Sequence, residues 1–440
     1  MVSPAWGQSV GLAEISGTVR DQTGAVVPDA HVIISNPSKG VDVELDTSQG
    51  GVFDAPSLLP ASGYEVTVDK TGFSHYDVKD IDLQVGKNVS LAISLSLAGA
   101  TAQVEVTGTP EVDDTKTDVS QVIGSQQILD LPINGRRVDS FVLLTPGVTN
   151  DGNYGLLTFR GVANGNSFLL DGNDSTEQFY GENNGRTRIL SQISQDAVQE
   201  FQVVSANFSA EYGNAMGGVV NTVTRSGTNN FHGTAYWFYR DQDMNAKDPY
   251  ASVNPDEWRL QSGASLGGAI IKDKLFFFVN GDFTRRDFPI VDSYVKSGVI
   301  DSATETFDPY STTSSPASPL GCGAPAPDPP VTSAQCSAIN GLLPRFFGLV
   351  PRSVDQDLLF GRIDYNLSAR NTFSFSMNYL HFKSPNGLQA TLVSSTTGAG
   401  VNSNGNDYVR VRNGKGTWTS ILSPNIVNNF RYGWDTDLQG

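Results

Sequence analysis

From about residue 229 onward the chain alternates apolar and polar positions with a period of two. Between 357 and 383, Leu359, Ile363, Tyr365 and Leu367 fall on one face, and Arg362, Asp364 and Asn366 on the other. After the short turn SARN the phase resumes, with Phe373, Phe375, Met377 and Tyr379 set against Ser374, Ser376 and Asn378. Phe430, Tyr432, Trp434 and Leu438 alternate in the same way with Arg431, Gly433, Asp435 and Asp437, after a tight SPN turn at Ser423. Because successive strand side chains point to opposite faces, these stretches predict long strands in hairpins, each with an apolar and a polar side. About seven are expected, near 231–240, 258–271, 274–285, 357–367, 372–383, 407–421 and 426–438.

Residues 12–98 show shorter alternations. Val89, Leu91, Ile93, Leu95 and Leu97 alternate with Ser90, Ala92, Ser94 and Ser96, and similar runs lie at 15–19, 32–34 and 64–68. Turn clusters such as DQTGAVVPDA and SNPSKG separate them at the spacing of a small β-sandwich.

Residues 194–228 join these regions. Phe201 and Val203 alternate with Gln202 and Val204 as a strand, and 207–212 predicts one helical turn that Gly213 ends in a left-handed conformation. In GGVVNTVT, Gly217 and Gly218 predict close approach of another backbone, before Val219 and Val223 form a β-branched face. Upstream, a short helix is expected from Ser125 to before Pro132, and a second carrying Phe141, Leu143 and Leu144 on its buried side. Between them lies a loop holding Asn134, Gly135, Arg136 and Arg137. LLTFRGVANGNSFLLDGND predicts two strands joined by a Gly-Asn turn. The fold class is therefore mainly β: an N-terminal sandwich, an α+β region, then antiparallel strands.

Composition narrows the setting. The chain has 440 residues, 45 glycines and 17% charged residues, which suits β-structure with many turns. A net charge of −17 argues against a nucleic-acid partner, which would require clustered Lys and Arg. No apolar run approaches the roughly 18 residues of a membrane helix, the longest being LFFFV at 275–279. A membrane crossing would thus require a closed barrel, with apolar side chains outward and polar ones inward. Seven strands do not close a bacterial barrel of even strand number, so the expectation is an incomplete barrel, 227–440, with the chain truncated at both ends.

Three resemblances follow from quoted residues. ISGTVRDQTGAVVPDAHVIISN and GGVFDAPSLLPASGYEVTVDKTGF, within 12–98, resemble carboxypeptidase-regulatory-like domains, with a PASGY turn where that family has PPG.Y. That resemblance implies a carbohydrate-binding-like fold without catalytic residues, serving as a periplasmic spacer or docking module. FSAEYGNAMGGVVNTVTRSGTNNFHG resembles the end of the plug domain in TonB-dependent outer-membrane receptors of the Oar-like branch, where FSAEYG, GGVVN and SGTN.FHG segments occur. The FRG and LLDG pair is similar to the same plug, placed at 111–226. The plug motif comprises Arg160, Gly161, Asp171, Gly172, Glu211, Tyr212, Gly213, Gly217, Gly218 and Asn221. Val104, Glu105, Val106 and Thr107, in a linker at 99–110, resemble a TonB box, which would add a strand to the partner's sheet. The same segment also reads as the sandwich's last strand running on. The resemblance implies an outer-membrane importer with a periplasmic N-terminal domain. Its partners would be TonB, outer-membrane lipid and an unknown small solute or oligosaccharide. The rival reading is a surface protein for adhesion or secretion support.

Other chemistry is sparse. Residues 1–11 resemble the tail of a secretory signal, and the GxSxG match at Gly7–Gly11 lacks the strand and helix a nucleophile elbow needs. Asp171, Asn173 and Asp174 offer oxygen ligands, but no bidentate Glu follows at calcium-loop spacing. His31, His75, His232 and His381 are scattered. No catalytic residues, cofactor or metal site are expected, and no phosphate-cradling loop is found. Cys322 and Cys336 lie in a Pro- and Ser-rich stretch expected to be a long exposed loop, where a disulfide is the expected pairing.

Overall fold

A computed structural model describes residues 11–98, 105–107, 118–151, 156–177, 181–183, 189–209, 212–246, 254–292, 300–301, 306–307, 334, 338, 348–387, 405–423 and 426–440.

The first region is a sandwich of two sheets. Strands β1 (Ala13–Asp21), β4 (Val52–Leu58) and β7 (Asn88–Leu95) form one sheet in the order β4-β1-β7, with β1 and β7 parallel. The other contains β2 (His31–Asn36), β3 (Val41–Asp46), β5 (Ala61–Asp69), β6 (Tyr76–Leu83) and β8 (Glu105–Thr107), in the order β3-β2-β5-β6-β8. Alternation buries Ile15, Val32, Ile34, Val66 and Val68 completely between the sheets, together with Tyr64. Each such aliphatic side chain stabilises by roughly 1.5–3 kcal/mol relative to exposure. The Tyr64 hydroxyl donates to the Leu59 carbonyl at 2.8 Å, so its one polar atom is satisfied.

The second region is built on β9 (Val119–Ile123), β12 (Ser167–Leu170), β13 (Asn173–Asp174), β14 (Val198–Ala206) and β15 (Val219–Thr224), in the order β13-β12-β15-β14-β9. Helices α1 (Ser125–Asp130) and α2 (Asp139–Val142) pack against it through Ile128, Phe141 and Val142. Leu143 and Leu144 are exposed, contrary to the sequence expectation, because α2 ends at Val142 before a further turn could bring them inward. The FRG and LLDG strands do not pair with each other either. Strand β11 (Leu157–Phe159) pairs with β10 (Val148–Asn150), while β12 pairs in parallel with β15. Strand β14 is buried on both faces: the Gly86 turn of the sandwich covers Gln202, Leu169, Val219 and Tyr212 pack around Val204, and Phe201 and Val203 share a core with the wall residues Phe278 and Phe360.

The third region is one antiparallel sheet whose seven strands follow chain order. These are β16 (His232–Asp241), β17 (Trp258–Ile271), β18 (Leu275–Asp287), β19 (Ser353–Ser368), β20 (Asn371–Pro385), β21 (Asn406–Ser423) and β22 (Ile426–Gln439). Its outward face exposes Phe375, Met377, Ile363 and Trp237, and its inward face buries Arg362, Asp364, Asn378 and Lys415. The inward face is less polar than its pattern suggests. Phe278 and Phe360 join the core of the second region, and Leu358, Leu380, Phe382, Val409 and Val411 pack around Ile189. A plug seated against the wall provides the apolar surface that water would otherwise deny these side chains.

Candidate functional site

Two polar latches hold the wall against the second region. In the first, Asp171 follows β12 in a left-handed conformation (φ 48°) and accepts from the Thr224 N–H and hydroxyl, each at 2.8 Å. Arg362, on β19, lies 3.5 Å from the same carboxylate and donates to the Thr224 hydroxyl at 2.9 Å. Its other guanidinium edge grips Asp364 at 2.9–3.0 Å, and Asp364 also accepts from Ser374 at 2.5 Å. Lys415, on β21, donates to the Leu170 carbonyl at 3.0 Å. Buried charges persist only when paired or hydrogen-bonded, and here Arg362 pairs with Asp171 and Asp364 while Lys415 is held by the Leu170 and Asn173 carbonyls.

The second latch joins residues 134–136 and 194–197 to wall strands β16 and β18. Arg136 pairs with Asp196 and lies 4.1 Å above the Tyr236 ring. Thr234 donates to Asp196 at 2.9 Å, while Tyr236 and Ser194 both donate to Asp282, at 2.5 and 3.1 Å.

The sandwich docks at one end of this assembly. Lys39 donates to the Ser226 hydroxyl at 2.6 Å and the Gly227 carbonyl at 3.1 Å, and the Asn229 N–H donates to the Ser38 carbonyl at 2.7 Å. Burial lowers the Lys39 ammonium to about 8, with Arg362 and Arg225 adding to the shift and Asp364 opposing it. Gly40, at φ +60°, touches the backbone of Asp273 in the β17–β18 turn so closely that no Cβ would fit. Glu200, on β14, accepts from the Val85 N–H at 2.8 Å and is raised to about 7, chiefly by burial. A small polar cavity of about 60 Å³ remains at this junction, lined by Gly11, Asp171, Ser226, Arg362 and Lys415. It has room for a few waters and is far below the roughly 300 Å³ of a solute pocket.

At the opposite end, Arg240, Arg259 and Arg286 converge beside Asn134 and Glu257. Glu257 accepts from Arg286 at 2.6 and 3.1 Å, Asn245 accepts from Arg240 at 2.8 Å, and the Gly135 carbonyl accepts from Arg259 at 3.0 Å. Among the described residues lining this site, three guanidiniums thus face one carboxylate, and the Arg259 Nε is buried with no hydrogen-bond partner.

The structure disperses the sequence-selected residues. Asp171 and Gly172 are latch residues, and Asn221, fully buried, accepts from the Gly172 N–H at 3.0 Å. Asp171 spends its oxygens on Thr224 and Arg362, and among the described residues no group of three or more acidic, His or Cys side chains is placed to hold a metal. Gly217 faces the side chains of Asn166 and Val162 and Gly218 faces the Phe159 ring, so side chains rather than a backbone exclude the Cβ. Arg160 (φ 48°) and Gly161 (φ 89°) form a left-handed turn after β11. Tyr212 packs on Leu169, Val204 and Val219. The left-handed positions flanking it are Asn207 and Asn214, both at φ 54°, in place of Gly213. Asparagine tolerates this region through its short polar side chain. Glu211, Val104, Cys322 and Cys336 lie outside the described residues. Glu105, Val106 and Thr107 form β8, paired in parallel with Asp77, Val78 and Lys79. Sequence reasoning missed the roles of Arg136, Asp196, Glu200 and Lys415; for Glu200 and Lys415 a charged residue within a strand was the available signal, whereas Arg136 and Asp196 lie in short 3-10 turns that carry none.

Comparison with known proteins follows the same division. Residues 14–96 match the carboxypeptidase regulatory-like domain, 111–219 the TonB-dependent receptor plug domain, and 223–440 an outer membrane beta barrel domain. The TonB-dependent transporter Oar of Myxococcus xanthus is 28% identical over 303 residues, which is 64% of this chain and 28% of Oar. A probable TonB-dependent siderophore receptor, PirA of Acinetobacter baumannii, is 29% identical over 39% of this chain and 23% of its own length. The chain therefore spans less than a third of the length of these curated relatives. Among solved structures, the ferric enterobactin receptor of Pseudomonas aeruginosa, in complex with enterobactin, aligns over 74% of this chain and 42% of that one, with 15% identity and a TM-score of 0.49. The chain carries, in one polypeptide, the regulatory-like, plug and outer-membrane barrel parts of a TonB-dependent receptor similar to Oar.

Proposed function

We propose that this chain serves in the TonB-dependent import of a small solute across the outer membrane, with the sandwich on the periplasmic side. The observation that carries the reading is the seating of the plug. Its Asp171 turn is held by Arg362 and Lys415 on the inward face of a wall whose outward face is apolar. A plugged barrel blocks diffusion, so passage needs work on the plug, and TonB is the partner that supplies it in this family. The solute meets the end opposite the sandwich. Its three arginines around Glu257 favour a solute bearing a carboxylate or another anionic group, because charge-assisted pairs with guanidinium are the stronger hydrogen bonds. No bond in the solute is broken in this scheme.

The test is Val106→Pro in the full-length protein. Proline removes a backbone donor and fixes φ, so a ladder hydrogen bond at that position is lost. Solute binding at the cell surface is expected to survive while uptake falls at least tenfold. Unchanged uptake would exclude Val104–Thr107 as the TonB contact, and a protein used for adhesion would be indifferent to the substitution.

A further inference from the structure

The segment proposed above to meet TonB is not a free tether. Residues 105–107 form β8, the outermost strand of the sandwich sheet β3-β2-β5-β6-β8, with Glu105, Val106 and Thr107 registered in parallel against Asp77, Val78 and Lys79. One edge of β8 is therefore occupied by β6, and no described strand pairs with the other. An unpaired strand edge is a template for addition of a further strand.

We infer that the sandwich is a presentation platform: it holds Glu105–Thr107 extended against β6 so that the energising partner adds the next strand to the outer edge of β8. The inference rests on the reading of this segment as the TonB contact. Two observations shape it. A free linker must give up conformational freedom to become a strand, whereas a segment already registered on β6 has done so before the partner arrives, so docking speeds and strengthens capture. The sandwich is also anchored where it stands. Lys39 reaches Ser226 and Gly227, Asn366 donates to the Lys39 and Gly40 carbonyls at 3.1 Å, and Glu200 of the plug strand β14 accepts from Val85. Val85 belongs to the turn that leaves β6, so the strand carrying β8 is tied directly to the plug. A pull on β8 that keeps the sheet intact thus loads β6 and, through Val85, Glu200 on β14.

The alternative is competition, in which β6 and the partner use the same edge of β8 and the partner must first strip the strand away. A disulfide separates the two. Lys79 and Thr107 are registered partners in neighbouring strands, whose separation of about 4.8 Å is within disulfide reach. The full-length receptor carrying Lys79→Cys and Thr107→Cys, with Cys322 and Cys336 replaced by serine, is purified in detergent, oxidised, and titrated with the purified periplasmic domain of TonB. The oxidised form is expected to bind within threefold of the reduced form, or tighter. A loss of more than tenfold on oxidation, restored by reduction, would overturn the platform in favour of competition. If the reduced form and the parent both fail to bind, the reading of TonB as partner fails, and the platform with it.

Discussion

The sandwich and the barrel wall use the same period-two alternation to opposite ends. In β1, Ile15 and Val19 turn inward and are fully buried against the facing sheet, while Arg20 points to solvent. In β19, Ile363 and Tyr365 turn outward and are exposed, while Arg362 and Asp364 are buried. The difference lies in what each face meets. The sandwich has a second apolar sheet for its apolar side. The wall's apolar side has only lipid, and its polar side meets a plug that supplies Thr224, Asp171 and backbone carbonyls. Alternation therefore specifies a strand with two unlike faces, and the neighbouring layers decide which face is the core.

Breaking the wall's inward face is expected to have the largest effect. Arg362→Ala leaves Asp364 and Asp171 buried without their cation, a loss of about 4 kcal/mol in the seating of the plug. Hydrogen exchange at residues 171–174 and 222–224 would rise, and parental protection there would refute the latch.

The joint between the sandwich and the plug should respond to pH. Burial first, and Asp82 second, raise the Glu200 carboxyl from its ordinary 4.5 to about 7, while the Val85 N–H and Lys87 oppose the shift. The docked state thus holds a proton more tightly than the undocked one. Docking is strongest at low pH and weakens as pH rises through about 7. Energy transfer between dyes on the sandwich and the wall would report this, and Glu200→Gln should flatten the profile. A parental pH profile in that variant would assign the titration elsewhere.

Ile15→Ala removes a fully buried side chain from the sandwich core and should cost about 3 kcal/mol, read as increased exchange in β1, β4 and β7 while the wall stays protected. The matching change on the wall, Ile363→Ala, should cost well under 1 kcal/mol, whereas Ile363→Lys should cost about 2 kcal/mol through transfer of a charge into lipid. If Ile363→Lys instead left barrel stability in bilayers unchanged, the outward face would not be a lipid face.

Much of this architecture was legible along the chain. All seven wall strands follow from alternation, and three of their six connections are short turns, so nearest-neighbour pairing needs only local signals there. The buried segments of the plug were harder to read. Asn207 and Asn214 take the left-handed positions expected of Gly213, because either residue type can occupy that region and only the path of the chain selects between them. The strands of FRG and LLDG look like a hairpin, yet β12 pairs with β15 some fifty residues later in a parallel register that no local pattern encodes.

By itself the sequence determined the strands, their faces, the order of three regions and the kind of protein they compose, because period, turn chemistry and motif are local properties. Tertiary structure alone decided that Asp171 meets Arg362, that Glu200 reaches across to Val85, and that Phe278 and Phe360 face a plug rather than a polar lumen. These partners lie on separate segments of the chain, so only the packing of one region on another brings them together, and burial then sets their energies.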